Sequence, residues 1–226
     1  FSSNFYFYFT GLEYGALEGL LKPFLHTWSL SVEEQYYIVF PVLLLIIYKL
    51  FKKNLLILML IALVISFFIA SWTSVKFPSA SFYFLHTRMW ELLAGSILAY
   101  FEITKGHRSK NKFLNLILPT TGLILVGHSI IFFNDRMFHP SFHTISSIIG
   151  VCLIIWFSEK NEIITKILST KLLVGIGLIS YSLYLWHYPI FAFARITEFI
   201  EGSIFNKLLL AIIITTLSII SYYLIE

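Results

Sequence analysis

Apolar residues in this chain fall into long runs separated by short polar stretches, over roughly 31–49, 54–75, 84–103, 113–133, 142–158, 171–194 and 205–225. A helix rises about 1.5 Å per residue, so about 20 apolar residues cross a hydrocarbon core about 30 Å thick. The pattern predicts an all-α fold, a polytopic transmembrane helix bundle with about seven spans and short loops. The fifth run is short. The sixth holds Gly175, Gly177 and Pro189 and is expected to bend. Such breaks are tolerated in a membrane where neighbouring helices or trapped water satisfy the freed backbone groups. Residues 1–29 read as a polar-aromatic lead-in, partly helical and lying along the membrane surface.

Composition supports this reading. Hydrophobic residues make up 58% of the 226 positions and charged residues only 12%, with a mean hydropathy of +0.83. A soluble domain would carry roughly a quarter of its residues as charges, and could not hide this much apolar side chain. Aromatics, at 18%, suit helices that pack in lipid and anchor at its interfaces. The net charge of +4 points to no nucleic-acid partner, because the cations sit in loops between apolar runs. Cys152 is the single cysteine and lies inside an apolar run, which leaves no disulfide framework and no cysteine-based metal site.

The loop charges orient the helices. Lys49, Lys52 and Lys53 follow the first run, Lys105, Arg108, Lys110 and Lys112 the third, and Lys160, Lys166 and Lys171 the fifth, beside Glu159 and Glu162. The alternate loops are poorer, with Lys76, then Arg136, then Lys207 beside Glu198 and Glu201. Cations favour the cytoplasmic side, so residues 1–29 are expected to face outward and Glu226 the cytoplasm. Ionisable groups in membrane spans are costly and usually functional. Here Glu33 and Glu34 open the first span, Arg88 and Glu91 start the third, and His187 nears the end of the sixth, with His26 just before the first. All map to the expected outward face. There is no arginine ladder of a voltage sensor and no mid-span carboxylate series of a proton pump.

The run from Leu21 to Tyr37, LKPFLHTWSLSVEEQYY, resembles the signature of the acyltransferase-3 family, membrane O-acyltransferases that decorate cell-envelope polysaccharides. Arg88–Gly95 (RMWELLAG), Ile179–Ile190 (ISYSLYLWHYPI) and the closing Ser221–Glu226 (SYYLIE) extend the resemblance along nearly the whole chain in the right order. It is similar above all to the branch that acetylates O-antigen and peptidoglycan, whose members often carry a soluble SGNH hydrolase-like domain after the last helices. The family has about ten core helices, and its hallmark Arg and His, some ten residues apart in the first of them, are absent here. The chain, which opens without an initiator Met, therefore reads as a partial acyltransferase-3 transmembrane domain over 1–226, lacking about three helices. Alone it is expected to be inactive.

The resemblance implies transfer of an acyl group, usually acetyl, from acyl-CoA to a sugar hydroxyl outside a bacterial inner (plasma) membrane. The acceptor would be an envelope polysaccharide or a lipid-linked glycan, and no metal is implied. A hydroxyl needs a positioned base, and the oxyanion at the thioester carbon needs donors aimed at it. Glu33, His26, Arg88, Glu91 and His187 are the catalytic candidates, and Trp28, Tyr37, Trp90, Tyr184 and Trp186 the substrate-binding ones.

Each has a plainer role beside it. Ser31 and Glu34 fit a capping box, which would leave Glu33, on the face of Tyr36 and Tyr37, for function. Arg88 and Glu91, three residues apart, can simply pair. His187, between Trp186 and Tyr188, can be an interfacial residue, and His26 likewise. His107, His128, His139 and His143 read as loop or interfacial residues, and Pro140 keeps the last two from presenting a metal on one helix face. A non-enzymatic membrane transporter or binding protein for a lipid-linked sugar is the alternative.

Overall fold

The computed structural model describes residues 1–11, 17–106, 109, 111–134, 137–159, 162–199 and 204–225. His107, Arg108, Lys110, Arg136, Lys160, Glu201 and Glu226 lie outside the described residues. Within them the secondary structure is helical, without strands. The helices are α1 (Ser3–Phe9), α2 (Leu17–Leu20), α3 (Thr27–Phe51), α4 (Leu55–Lys76), α5 (Pro78–Tyr83), α6 (Leu85–Lys105), α7 (Lys112–Phe132), α8 (Ile145–Phe157), α9 (Ile163–Leu168), α10 (Lys171–Leu178), α11 (Ser180–Ile196) and α12 (Ile204–Leu224).

Every apolar run carries a helix. Four of these, α3, α4, α7 and α12, are both long and apolar enough to cross a membrane. Helix α6 has 21 residues, but Arg88, Glu91, Glu102 and Lys105 make it more polar. Helix α8, at 13 residues, continues a 3₁₀ turn at Phe142–Thr144. The sixth run is two helices. Helix α10 ends at Leu178, Ile179 breaks the regular geometry at φ −89° and ψ 4°, and α11 starts at Ser180. The bend therefore falls just after Gly177, while Pro189 sits inside α11.

The chain divides into two compact units: residues 32–166 with Phe1, and residues 2–31 with 167–226. In the first unit, α4 packs on α6 through small and polar residues. Ser66, Ala70 and Ser74 are buried while Phe68, Trp72 and Val75 on the same helix are exposed. This inversion of a soluble helix is expected where lipid, not water, faces the apolar side chains. The Ser66 hydroxyl donates to the His86 carbonyl at 2.7 Å and accepts from the Trp90 amide at 3.1 Å, bridging one turn of α6. At the other end of the pair Leu55, Met59 and Ile97 form a core lined by Phe40, Tyr100 and Phe101. Helices α7 and α8 meet at Gly122 and Gly150, flanked by a Ser129–Ser146 hydroxyl pair at 2.8 Å and an amide-to-carboxylate bond from Asn115 to Glu159 at 3.0 Å.

The second unit gathers α1, the 17–31 segment and helices α10 to α12. The lead-in is partly helical, as expected, and packed: Asn4, Phe7, Leu25, His26 and Trp28 are all buried. The Ser3 amide donates to Ser31 Oγ at 3.0 Å, and the Ser3 hydroxyl donates to the Thr27 carbonyl at 2.9 Å. Helix α3 begins at Thr27, so Ser31 lies in its second turn and caps nothing. The capping box expected of Ser31 and Glu34 is thereby overturned: the four residues before Ser31 already follow the helix, and its hydroxyl serves Ser3.

Candidate functional site

The densest cluster of reactive side chains in the second unit forms where the chain enters α3. Residues 22–29 turn tightly, with backbone bonds from Leu25 to Lys22, Thr27 to Phe24 and Trp28 to Leu25 at 3.1–3.2 Å. This turn holds His26, only 4% exposed, against one face of α11. Residues three and four apart share a helix face, and Tyr184, His187 and Tyr188 are spaced in that way. The Tyr188 ring stacks on the His26 ring at 5.1 Å, and Tyr184 and His187 meet it edge-on at 5.0 and 5.5 Å.

The tyrosine hydroxyls fasten the turn to α11. Tyr184 donates to the His26 carbonyl and shares a hydrogen bond with the Ser29 hydroxyl at 2.6 Å. One turn along, Tyr188 donates to the Gly19 carbonyl at 3.1 Å. His187 Nδ1 lies 2.7 Å from the Tyr184 carbonyl and 3.1 Å from that of Leu183. A nitrogen facing two carbonyls carries the proton, so the neutral ring keeps its lone pair on Nε2. His26 is the opposite case: Nδ1 and Nε2 are both buried, and its nearest polar neighbour, the Pro23 carbonyl, is too poorly aligned for a hydrogen bond of ordinary geometry. Burial, then the neighbouring His187, push its pKa down to about 4, against a smaller opposing pull from the Pro23 carbonyl. The ring is neutral at physiological pH.

A second group lies in the first unit, at the start of α6. Arg88 Nε donates to the Phe82 carbonyl at 3.1 Å, its guanidinium covers the Phe82 ring at 4.9 Å, and Nη1 reaches Glu91 Oε2 at 3.4 Å. The side chains are 21% and 19% exposed, so the ion pair is largely sheltered. Arg88 thus both pairs with Glu91 and ties α5 to α6. Trp90 is buried against Phe67 at 5.1 Å, and its indole N–H has no partner among the described residues.

The remaining sequence-predicted residues are placed less suggestively. Glu33 and Tyr37 are exposed on α3, Tyr37 at 63%, while Tyr36 on the same helix is buried and bonds Ser96 at 2.7 Å. Trp28 is buried in the second unit. Trp186 points to α12, where its indole N–H donates to Ser221 at 2.8 Å. Among the described residues, no three His, Cys, Asp or Glu side chains converge to hold a metal ion. The structure thus joins His26, Tyr184 and His187 in one cluster, and Arg88 and Glu91 in another. It adds Ser29 and Tyr188, which sequence reasoning passed over. The only sequence signal for Tyr188 is its spacing of four from Tyr184 on a helix that already carries His187.

Comparison with known proteins agrees in family. Residues 1–226 match an acyltransferase domain. The peptidoglycan O-acetyltransferase OatA of Listeria monocytogenes is 29% identical over 221 residues, covering 92% of this chain and 35% of that protein. The putative peptidoglycan O-acetyltransferase YrhL of Bacillus subtilis is 30% identical over 245 residues, covering 100% of this chain and 38% of its own length. The O-acetyltransferase OatA of Staphylococcus aureus is 31% identical over 200 residues, with 81% and 32% covered. The chain thus spans about a third of the length of these curated relatives. No solved structure matches it. With the whole chain matched and the motif residues of α3 and α11 packed into one cluster, the chain belongs to the acyltransferase-3 family.

Proposed function

We propose that the intact protein is a membrane O-acyltransferase that moves an acyl group, acetyl in the simplest case, from acyl-CoA to a hydroxyl of a bacterial envelope polysaccharide. The observation that carries this reading is the His26–His187 pair, two histidines 161 positions apart in sequence whose rings meet at 5.5 Å in a tyrosine-lined turn. Two relatives carry peptidoglycan O-acetylation in their names, which favours peptidoglycan over O-antigen as the acceptor. The chain sits in the plasma membrane with its lysine-rich loops, 49–54, 104–112 and 159–171, on the cytoplasmic side.

Acyl transfer to a hydroxyl needs a proton acceptor near the attacking oxygen and positive charge or donors near the oxyanion. His187 Nε2, with Nδ1 held by a carbonyl, has the tautomer of an acceptor. Within the first unit, taken by itself, Arg88 is a cation kept in place by Glu91 and Phe82, and Trp90 carries a buried N–H. The test is His187→Ala in the intact protein, expressed in a strain lacking its own acetylase, with base-labile acetate on purified peptidoglycan as the readout. Loss of a proton acceptor typically costs about 10²–10⁴-fold. Normal acetate on peptidoglycan from the His187→Ala strain would refute the assignment.

A further inference from the structure

Packing within the first unit collects its cations at one end. Helices α3 and α4 join through a tight turn at Lys52–Asn54, and the core of Leu55, Met59 and Ile97 sets the end of α6 beside that turn. Phe101 on α6 touches Trp156 on α8 at 6.1 Å, and Asn115 on α7 bonds Glu159, just past α8, at 3.0 Å. Lys49, Lys52, Lys105, Lys112 and Lys166 therefore share this end, and all five are exposed. By sequence, the stretches 49–54, 102–112 and 159–166 hold nine Lys and Arg against three Glu, whereas the rest of 32–166 holds three against four acidic residues. Among the described residues, no carboxylate forms an ion pair with Lys49, Lys52, Lys112 or Lys166.

These lysines do not stand on a polar surface. Leu50 and Phe51 beside Lys49 and Lys52, Ile103 before Lys105 and Phe113 after Lys112 are all exposed and apolar. The Lys52 ammonium lies over the Tyr48 ring and that of Lys105 over the Phe101 ring, each at 5.2 Å. Lysine stems run along apolar surface in this way and carry the charge outward to the level of the headgroups. Helices α3, α4 and α7, which end here, are long and apolar enough to cross a membrane. A soluble polyanion would match the cations and leave the apolar side chains in water; a bilayer matches both, phosphates above and acyl chains below. We propose that this end of the first unit is a docking surface for anionic phospholipid headgroups, with Lys49, Lys52, Lys112 and Lys166 as the phosphate contacts. The inference rests on the chain spanning a membrane and is independent of acyl transfer. One lysine near each headgroup phosphate gives about a 5-fold preference for an anionic lipid over a zwitterionic one, and salt screens it.

The experiment places the purified intact protein in phosphatidylcholine nanodiscs that hold a trace of pyrene-labelled phosphatidylglycerol or pyrene-labelled phosphatidylcholine. Energy transfer from tryptophan to pyrene, with Trp156 near the lysine-bearing end, reads how strongly each lipid gathers around the protein. The wild type is expected to enrich phosphatidylglycerol about 5-fold at low salt, with the preference fading as sodium chloride rises. Changing Lys49, Lys52, Lys112 and Lys166 together to Gln should remove most of the preference, while Lys76→Gln, at the other end of α4, should keep it. Should the fourfold variant fail to fold, the salt series on the wild type and the four single variants, each with a partial loss, carry the same test. Equal enrichment of the two lipids by the wild type would overturn the proposal. So would a preference that survives in the fourfold variant, or one that free coenzyme A abolishes at constant ionic strength, which would mark a site for soluble anions. No acyl donor enters the assay, so a protein that binds phosphatidylglycerol but acetylates nothing sinks the acyltransferase reading and leaves this surface standing.

Discussion

Replacing Gly122 with alanine tests how tightly the membrane helices are matched. A Cβ at Gly122 would lie 2.5 Å from the Gly150 carbonyl oxygen, 3.0 Å from Ile154 Cγ1 and 3.2 Å from Leu153 Cβ. The reverse substitution meets the Gly122 carbonyl at 2.7 Å and Val126 Cγ2 at 2.9 Å. Because the blocking atoms are backbone, no side-chain rotation relieves them, and α8 must move off α7 by roughly 0.9 Å to restore ordinary contact near 3.4 Å. Overpacking of this kind costs about 1–3 kcal/mol, and the shift also stretches the Ser129–Ser146 bond, worth about 1 kcal/mol. Alanine's helix propensity returns about 0.5–1 kcal/mol. The net is a loss of about 2 kcal/mol. Gly127, on the same helix, has nothing within 4 Å of its would-be Cβ, so Gly127→Ala should be neutral or mildly stabilising. Thermal unfolding in detergent, followed by tryptophan fluorescence, reads both. One separation of the helices accommodates both new methyls, so Gly122→Ala with Gly150→Ala should cost less than the sum of the two. Equal melting temperatures for Gly122→Ala and Gly127→Ala would refute the close-packing argument.

Two further outcomes follow from the charges. His26 titrates near 4 in the fold and near 6.5 when unfolded, so between those values the unfolded chain binds a proton that the folded chain does not. Stability should therefore rise by roughly 3 kcal/mol from pH 4 to pH 6.5 and be level outside that window as far as this group is concerned; His26→Phe should remove the slope, and an unchanged slope would exclude His26 as its source. The lysine-rich loops are expected in the cytoplasm, so in a Cys152→Ser background a cysteine at Lys52 or Lys105 should resist an impermeant thiol reagent in intact cells, and labelling from outside would reverse the orientation.

Helix existence was legible in the apolar runs because lipid imposes a length on every span: α4 and α7 fall within one residue of the expected ends. The boundaries failed where polar residues belong to the helix. Thr27 to Ser29 read as lead-in because threonine and serine crowd there beside His26, yet they open α3. The capping rule then chose Ser31 by its spacing to Glu34, and it could not see that the Ser31 hydroxyl would be taken by Ser3, 28 residues away. In the sixth run, proline was a weaker breaker than the glycines. Pro189 stays in α11, whereas the chain breaks at Ile179, beyond Gly175 and Gly177, where backbone freedom is greatest.

The site was legible as residues and illegible as geometry, and the reason lies in what a helix period can encode. Spacing put Tyr184, His187 and Tyr188 on one face of α11, but nothing local to that helix names its partner. Gly19, His26 and Ser29 come from the other end of the chain and are joined to α11 only by tertiary hydrogen bonds. Periodicity also cannot foretell burial when both faces of a helix look alike. Glu33 shares its turn with buried Val32 and Ser31, yet is exposed, while Gln35, never singled out, is buried and donates to the Phe1 carbonyl at 2.9 Å. The physical sign of a site is instead an arrangement that sequence cannot display: a histidine 4% exposed, ringed by aromatics, beside a second histidine 161 positions away.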